Sequence, residues 1–167
     1  FCVCVALRLG EQTRLGVTYD PLRRELFWAE AGGGAFVNGK PIAVSARQEQ
    51  LRSLIACDLG YDDARGAEML DFMRRLWPDV HSLRVLGSGA LGLAYVAAGR
   101  IDLYLHRCLY PWDIAAGVLL VQEAGGKVSD WSENPITIAS QEIIAGTPAV
   151  HSQVMALIVP RPLPRDK

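Results

Sequence analysis

The chain has 167 residues, of which half are hydrophobic and 21% charged, with a net charge of −1 at pH 7. That balance suits one globular domain or one lobe of a larger one and excludes a disordered chain. The near-neutral charge offers no basic surface for nucleic acid or an anionic membrane, and the longest apolar run, Ile114 to Val121, falls far short of the roughly 20 residues a spanning helix needs.

The chain opens with Phe1 to Leu9, rich in β-formers, with no basic n-region and no initiator Met. It is expected to be the interior of a longer sequence and not a signal peptide. Gly10 to Gln12 reads as a turn, Leu15 to Tyr19 as a second strand closed by Asp20-Pro21, and Glu25 to Ala29 as a third. Gly32-Gly33-Gly34 breaks the pattern before a short strand, Ala35 to Val37, and Asn38-Gly39 is a two-residue hairpin turn. Strands joined by short turns predict an antiparallel meander.

From Ser45 onward helices and strands alternate. Ser53 to Asp58 is a strand. Ala64 to Trp77 carries Met69, Phe72, Met73 and Leu76 at helical spacing, with Asp62 or Asp63 as its cap. Leu83 to Leu86 and Ile101 to Leu105 are strands around a small-residue helix, Gly89 to Ala98. Pro111 to Ala124 is a helix with Pro in its first turn and Gly125-Gly126 past its end. Val128 to Trp131, Ile136 to Ala139 and Ile143 to Ala145 are predicted strands, and Ala149 to Ile158 a final helix with His151 on its surface. Val159 to Pro164 cannot extend a helix and is expected to form a surface strap or a frayed end. The predicted organisation is residues 1–45 as strands of an N-terminal lobe's sheet, 46–160 as a C-terminal α/β lobe, and 161–167 as a tail.

Several features bear on chemistry. Asp113 sits in the first turn of a helix that is apolar almost all round, where helical N–H groups and the macrodipole keep a carboxylate ionised. Such a carboxylate suits a hard divalent cation bridging to phosphate, or it is a plain N-terminal charge. Gly87-Ser88-Gly89-Ala90-Leu91-Gly92 follows a strand, opens a helix and matches G-x-G-x-x-G, which keeps a nucleotide-binding module open. Asp113, the acidic residue about 20 positions on, falls on a helix and not at the next strand end, which weakens that reading. Ala31 to Ala35 has no Lys and no following helix, so it reads as a hairpin connection and not a phosphate cradle. His106 ends a strand and faces the same cleft as Asp113, whereas His81 is a loop residue. Asp102, His106 and Cys108 lack the strained turn of a nucleophilic triad. Cys2, Cys4, Cys57 and Cys108 form no C-x-x-C pair and are expected as free thiols of a reducing cytosol.

Pro111-Trp112-Asp113-Ile114-Ala115-Ala116-Gly117, followed by Gln122-Glu123-Ala124-Gly125-Gly126, resembles the second signature of the inositol monophosphatase family, W-D-x-A-A-G with E-A-G-G. Gly16 to Pro21 and Gly33 to Gly39 look like the family's mid-chain strands and hairpin, Gly87-Ser88-Gly89-Ala90 like its G-S/T-A-A turn beside the substrate, and Tyr104 fits as well. The resemblance covers nearly all the chain. It implies a layered α-β-α-β-α sandwich of the sugar phosphatase type, lacking its N-terminal part. It also implies Mg²⁺-dependent, lithium-sensitive hydrolysis of a small phosphorylated substrate in a cytoplasmic homodimer, with no nucleic-acid or membrane partner. In the family reaction metal-activated water attacks phosphorus. Asp113 would be the metal ligand of the second signature, and Gly87, Ser88, Gly89, Ala90 and His106 would line the substrate pocket.

Two departures stand out. The first signature, D-P-I/L-D-G-T, and its upstream acidic residue are not in the sequence, so no complete catalytic set is present and these residues alone are expected to lack phosphatase activity. His106 stands where many members carry an acidic residue that bonds inositol hydroxyls, so another sugar phosphate or a nucleotide phosphate is as good a candidate substrate. Bisphosphate nucleotide, fructose bisphosphate and histidinol phosphate phosphatases stay open, as does a non-catalytic dimerisation or binding lobe.

Overall fold

In the computed structural model, which describes residues 1–158, two five-stranded sheets enclose a pair of helices. The first sheet is the expected meander. β1 (Val3–Leu9), β2 (Gln12–Asp20), β3 (Glu25–Glu30), β4 (Gly34–Val37) and β5 (Lys40–Ile42) lie in chain order, each antiparallel to the next. Asn38 and Gly39 turn with positive φ, as a two-residue hairpin requires, and β5 is a strand the sequence did not suggest.

The second sheet runs β7-β6-β8-β10-β9, from β6 (Leu54–Cys57), β7 (Ser82–Val85), β8 (Leu103–His106), β9 (Lys127–Ser129) and β10 (Ile143–Gly146). β6 is parallel to β7 and β8, while β10 is antiparallel to β8 and β9. α1 (Asp63–Leu76) links β6 to β7, and Asp62 caps it by accepting from the Arg65 amide. α2 (Gly89–Ala97), α3 (Pro111–Glu123) and α4 (Pro148–Ile158) complete the fold.

Strand alternation assigns the layers. Ala56, Tyr104, Ile143 and Ala145 share one core with α2, α3 and the inner residues Phe27, Ala29 and Ala35 of the meander. The intervening residues Ile55, Cys57, Leu103, Leu105 and Ile144 pack with Met69, Phe72 and Leu76 of α1 and Val150, Val154 and Met155 of α4. The order is therefore meander, α2–α3, second sheet, α1–α4: four layers of an α/β sandwich. The middle helices come close because side chains are missing where they cross. A Cβ on Gly117 would stand 2.5 Å from Leu93, one on Gly92 2.5 Å from the Tyr104 ring, and one on Gly16 2.7 Å from the Ala116 carbonyl oxygen.

Two expectations fail. Ile136 to Ala139 is not a strand. Thr137 and Ser140 close a turn on themselves, the Thr137 amide donating to Ser140 Oγ and the Ser140 amide to the Thr137 carbonyl, and among the described residues no strand pairs with the segment. His151 is fully buried, not on the surface. It lies on the apolar side of α4, with Nε2 2.9 Å from Ser129 Oγ, which itself donates to the Asp130 carbonyl. The strap or frayed end predicted for Val159 to Pro164, and the tail 161–167, lie outside the described residues.

The outer side of the meander is apolar and uncovered: Val3, Val5 and Leu7 of β1 are each more than half exposed, and Trp28 and Phe36 stack beside them at 4.5 Å. A polypeptide of this sequence should therefore self-associate at micromolar concentration, and monodisperse monomer in light scattering would contradict that. Burial, with the Lys127 charge second, lowers the His151 pKa from 6.5 to about 4. The unfolded chain takes up that proton first, so stability is full above pH 6.5 and falls as pH drops from 6.5 to 4, by up to about 3 kcal/mol. Urea unfolding across that range should show this loss, and His151→Gln should flatten it.

Candidate active site

The three mutually parallel strands end on one side of the second sheet, where open α/β sheets hold ligands. A cavity of about 660 Å³ opens there. Asp58 follows β6, Gly87, Ser88 and Gly89 follow β7, and His106 closes β8, and all five line the cavity with Ala90 and Asp113. The structure thus places around one cavity the residues that the family resemblance assigned to metal and substrate: Asp113, Gly87, Ser88, Gly89, Ala90 and His106. His81, exposed just before β7, does not line this cavity.

The N-termini of α2 and α3 both meet this cavity, through Gly89 and Ala90 of one and Trp112 and Asp113 of the other. The positive ends of two macrodipoles meet at the cavity, an arrangement that favours an anion, although Pro111 has no N–H and the Asp113 amide donates to the Tyr110 carbonyl. Asp113 is half-buried at the third position of α3, and its Oδ2 accepts from the Tyr110 amide at 2.9 Å. Its Oδ1 has no donor among the described residues. Tyr110 and Trp112, both well exposed, stack at 5.0 Å on the rim.

The sequence did not reveal Asp58. This carboxylate is 5% exposed and accepts four hydrogen bonds: Oδ1 from the amides of Leu86 (2.8 Å) and Gly87 (2.5 Å), Oδ2 from the Ser88 amide (3.1 Å) and the Tyr104 hydroxyl (2.7 Å). It therefore fixes the Gly87-Ser88-Gly89 turn. Burial, and then the Asp58 charge, push the Tyr104 phenol well above its ordinary pKa, so it stays a donor. This arrangement also answers the G-x-G-x-x-G match, because the first amides of that run are occupied by a carboxylate of the chain itself instead of being left for a pyrophosphate. The one signal available in the sequence was an acidic residue at the carboxyl end of a buried strand.

The glycine run before β4 is a turn, and its amides are likewise taken. Glu123 accepts from the Gly32 amide at 2.8 Å and the Gly34 amide at 2.9 Å, joining the end of α3 to the β3–β4 turn. Asp102, His106 and Cys108 form no triad: Asp102 accepts from the Leu54 amide and Ser45, while His106 Nδ1 accepts from the Cys108 amide. Cys2 and Cys4 lie on one side of β1 with sulfurs 3.7 Å apart, and all four thiols are free. Their mutual hydrogen bond lowers the Cys2 thiol to about 6 and raises that of Cys4.

Magnesium needs several hard oxygen ligands. Here Asp58 already accepts four hydrogen bonds, Asp113 is a single carboxylate, and the remaining polar side chains are the Ser88 hydroxyl, the phenols of Tyr61 and Tyr110, three thiols and an imidazole. Among the described residues no group of three or more His, Cys, Asp or Glu is placed to hold a metal ion. These residues do not by themselves fit a magnesium site. Among the described residues, too, no helix is long and apolar enough to cross a membrane.

The sequence model of the inositol monophosphatase family matches residues 1–161. The chain is 36% identical over 165 residues to an inositol monophosphatase of Dictyostelium discoideum, covering 97% of this chain and 61% of that protein. It is 41% identical over 150 residues to inositol monophosphatase 1 of Solanum lycopersicum, covering 88% of this chain and 55% of that protein. Its fold superposes on the extragenic suppressor protein SuhB of Bartonella henselae with a TM-score of 0.89 at 36% identity, covering 95% of this chain and 61% of that one. The chain therefore spans about three-fifths of the length of the relatives it matches.

Replacing Asp58 with Asn leaves one oxygen for four converging donors and adds an N–H among them. Asp58→Asn should lower unfolding free energy by about 1–3 kcal/mol, read as a shift of the urea midpoint. An unchanged midpoint would show that the turn holds itself.

Proposed function

The chain belongs to the inositol monophosphatase family, and we propose that it is the C-terminal portion of a Mg²⁺-dependent, lithium-sensitive phosphomonoesterase. Its substrate is inositol monophosphate or a related sugar or nucleotide phosphate. The observation that carries this reading is the convergence of two helix N-termini on one cavity beside Asp113, which suits a phosphate held against a cation.

Within that reading Asp113 contributes one metal ligand through Oδ1, while Gly87, Ser88, Gly89, Ala90 and His106 form the wall against the substrate. A bound cation would supply the activation of water for attack on phosphorus, and of the described residues Asp113 would hold it with further ligands that this set does not provide. Residues 1–45 belong to the sheet of an N-terminal lobe, and the described residues from 46 onward to a C-terminal lobe. The intact protein is a cytoplasmic homodimer acting on a small phosphorylated substrate, without nucleic-acid or membrane partners.

Phosphate release from inositol 1-phosphate with Mg²⁺ tests this reading. The 167-residue chain alone should show no turnover. The same sequence within a protein carrying D-P-I/L-D-G-T upstream should turn over and be inhibited by Li⁺. Asp113→Asn in that protein should lower kcat/KM by more than the roughly 10–100-fold that loss of a metal's outer-shell partner costs. Turnover by the short chain would refute the need for the upstream carboxylates, and an active Asp113→Asn protein would refute metal ligation by Asp113.

A further inference from the structure

A pair of thiols in the cavity wall takes no part in phosphate-ester hydrolysis. Residues two apart on an extended chain point to the same side, and Cys2 and Cys4 are so placed at the start of β1. Val3 between them faces outward, more than half exposed, while both thiols line the cavity. Cys2 Sγ lies 3.8 Å from Ser88 Oγ, and Cys4 Sγ lies 3.8 Å from Thr18 Oγ1. Pairing of β1 with β2 sets Cys4 opposite Thr18 and fixes the direction of the pair. The two sulfurs are 3.7 Å apart, and both thiols are free.

The spacing suits a bridged pair better than a disulfide. An extended chain rises about 3.3 Å per residue, so the two α carbons stand roughly 6.7 Å apart, at the upper end of what a disulfide spans. One atom bonded to both sulfurs needs less closure, because two thiolates on a tetrahedral centre at about 2.3 Å each stand about 3.8 Å from one another. Among the described residues no group of three or more His, Cys, Asp or Glu is placed to hold a metal ion, so a structural zinc, which takes four ligands, is not satisfied. Cys108 lines the same cavity, but among the described residues no hydrogen bond joins its sulfur to the pair. What fits is a soft centre that needs only two sulfurs. The hydrogen bond with Cys4 lowers the Cys2 thiol to about 6, against the effect of burial, and supplies a thiolate to attack first.

We propose that Cys2 and Cys4 form a dithiol site that chelates a soft, thiophilic centre through two sulfur bonds, with a trivalent organoarsenical as the ligand class. The arsenic of an arsine oxide, R–As=O, forms two As–S bonds while both S–H bonds break, and its oxygen leaves as water with the two protons. Arsenic stays trivalent and neither sulfur is oxidised. The chelate lies against Ser88 at the start of α2, within the cavity. The site stands whether or not the cavity takes a phosphate ester.

Phenylarsine oxide added to the 167-residue chain is the test. The intact mass should show a single adduct, heavier by one reagent less one water, and Cys2 and Cys4 should then resist alkylation while Cys108 still reacts. Cys2→Ser and Cys4→Ser should each weaken binding about 100-fold, because one thiol alone loses the second, intramolecular bond. Cys108→Ser should leave binding unchanged. Undiminished affinity in either of the first two variants, or loss of the adduct from Cys108→Ser, overturns the proposal. Cys2 and Cys4 are also neighbours in sequence, so the contribution of the fold is read in the same chain unfolded by urea, which should bind about tenfold more weakly. Equal affinity there would overturn the claim that the strand prepares the site. Zn²⁺ at equal concentration should not compete with the arsenical, and competition would overturn the two-sulfur coordination.

Discussion

The bare backbone at Gly92 is the constraint from which the site is built. The Tyr104 ring occupies the space where a side chain on Gly92 would stand, within 2.5–2.8 Å of the missing Cβ. Only that vacancy lets the phenol lie flat against α2 and carry its hydroxyl to Asp58. Asp58 in turn gathers the amides of Leu86, Gly87 and Ser88 and aims the start of α2 at the cavity. A packing contact in the core is thus coupled to the wall of the site through one hydrogen-bonded carboxylate. Its surroundings are dry enough that each bond counts for more than it would at the surface.

The cavity has two kinds of electrostatic resource. The first is backbone: α2 and α3 both open on the cavity at their N-termini, the start of α2 being held by the Asp58 carboxylate. The second is the limited set of side chains, in which Asp113 offers one carboxylate oxygen and His106 one N–H. The first can hold an anion without help. The second cannot complete a shell for a hard cation, which is why the proposed chemistry is assigned to a longer protein.

Much of the architecture was legible in the sequence because it is written in local patterns. Alternating strands, the Asn38-Gly39 turn, the Asp62 cap and Pro111 at the start of α3 each act within a few residues, and the structure agrees on all of them. The placing of Gly87 to Ala90, His106 and Asp113 around one cleft came from the family resemblance and not from local pattern, and these residues line one cavity. What was hidden acts at long range. Asp58 reaches residues nearly thirty positions on, and Glu123 reaches back to Gly32 and Gly34, so neither partner shows in a local window. His151 was misplaced because polarity suggested exposure, whereas a hydrogen bond to Ser129 satisfies one nitrogen in the core. Ile136 to Ala139 has the composition of a strand, but Thr137 and Ser140 satisfy their backbone locally, in competition with a ladder.

The separation in sequence between the meander and the helix that covers it has a kinetic consequence. β1 to β5 pair only with their chain neighbours, so their hairpins close over short loops and can zip early. Their inner face meets α3, whose Ala116 lies against Gly16 across a hundred intervening positions. Until α2 and α3 have formed and docked, Phe27, Ala29 and Ala35 lack the core they pack on, and the early ribbon gains pairing without burial. The large loop-closure entropy falls on that docking step. Folding of this sheet is therefore committed from the far end of the chain, by the same helix that carries Asp113.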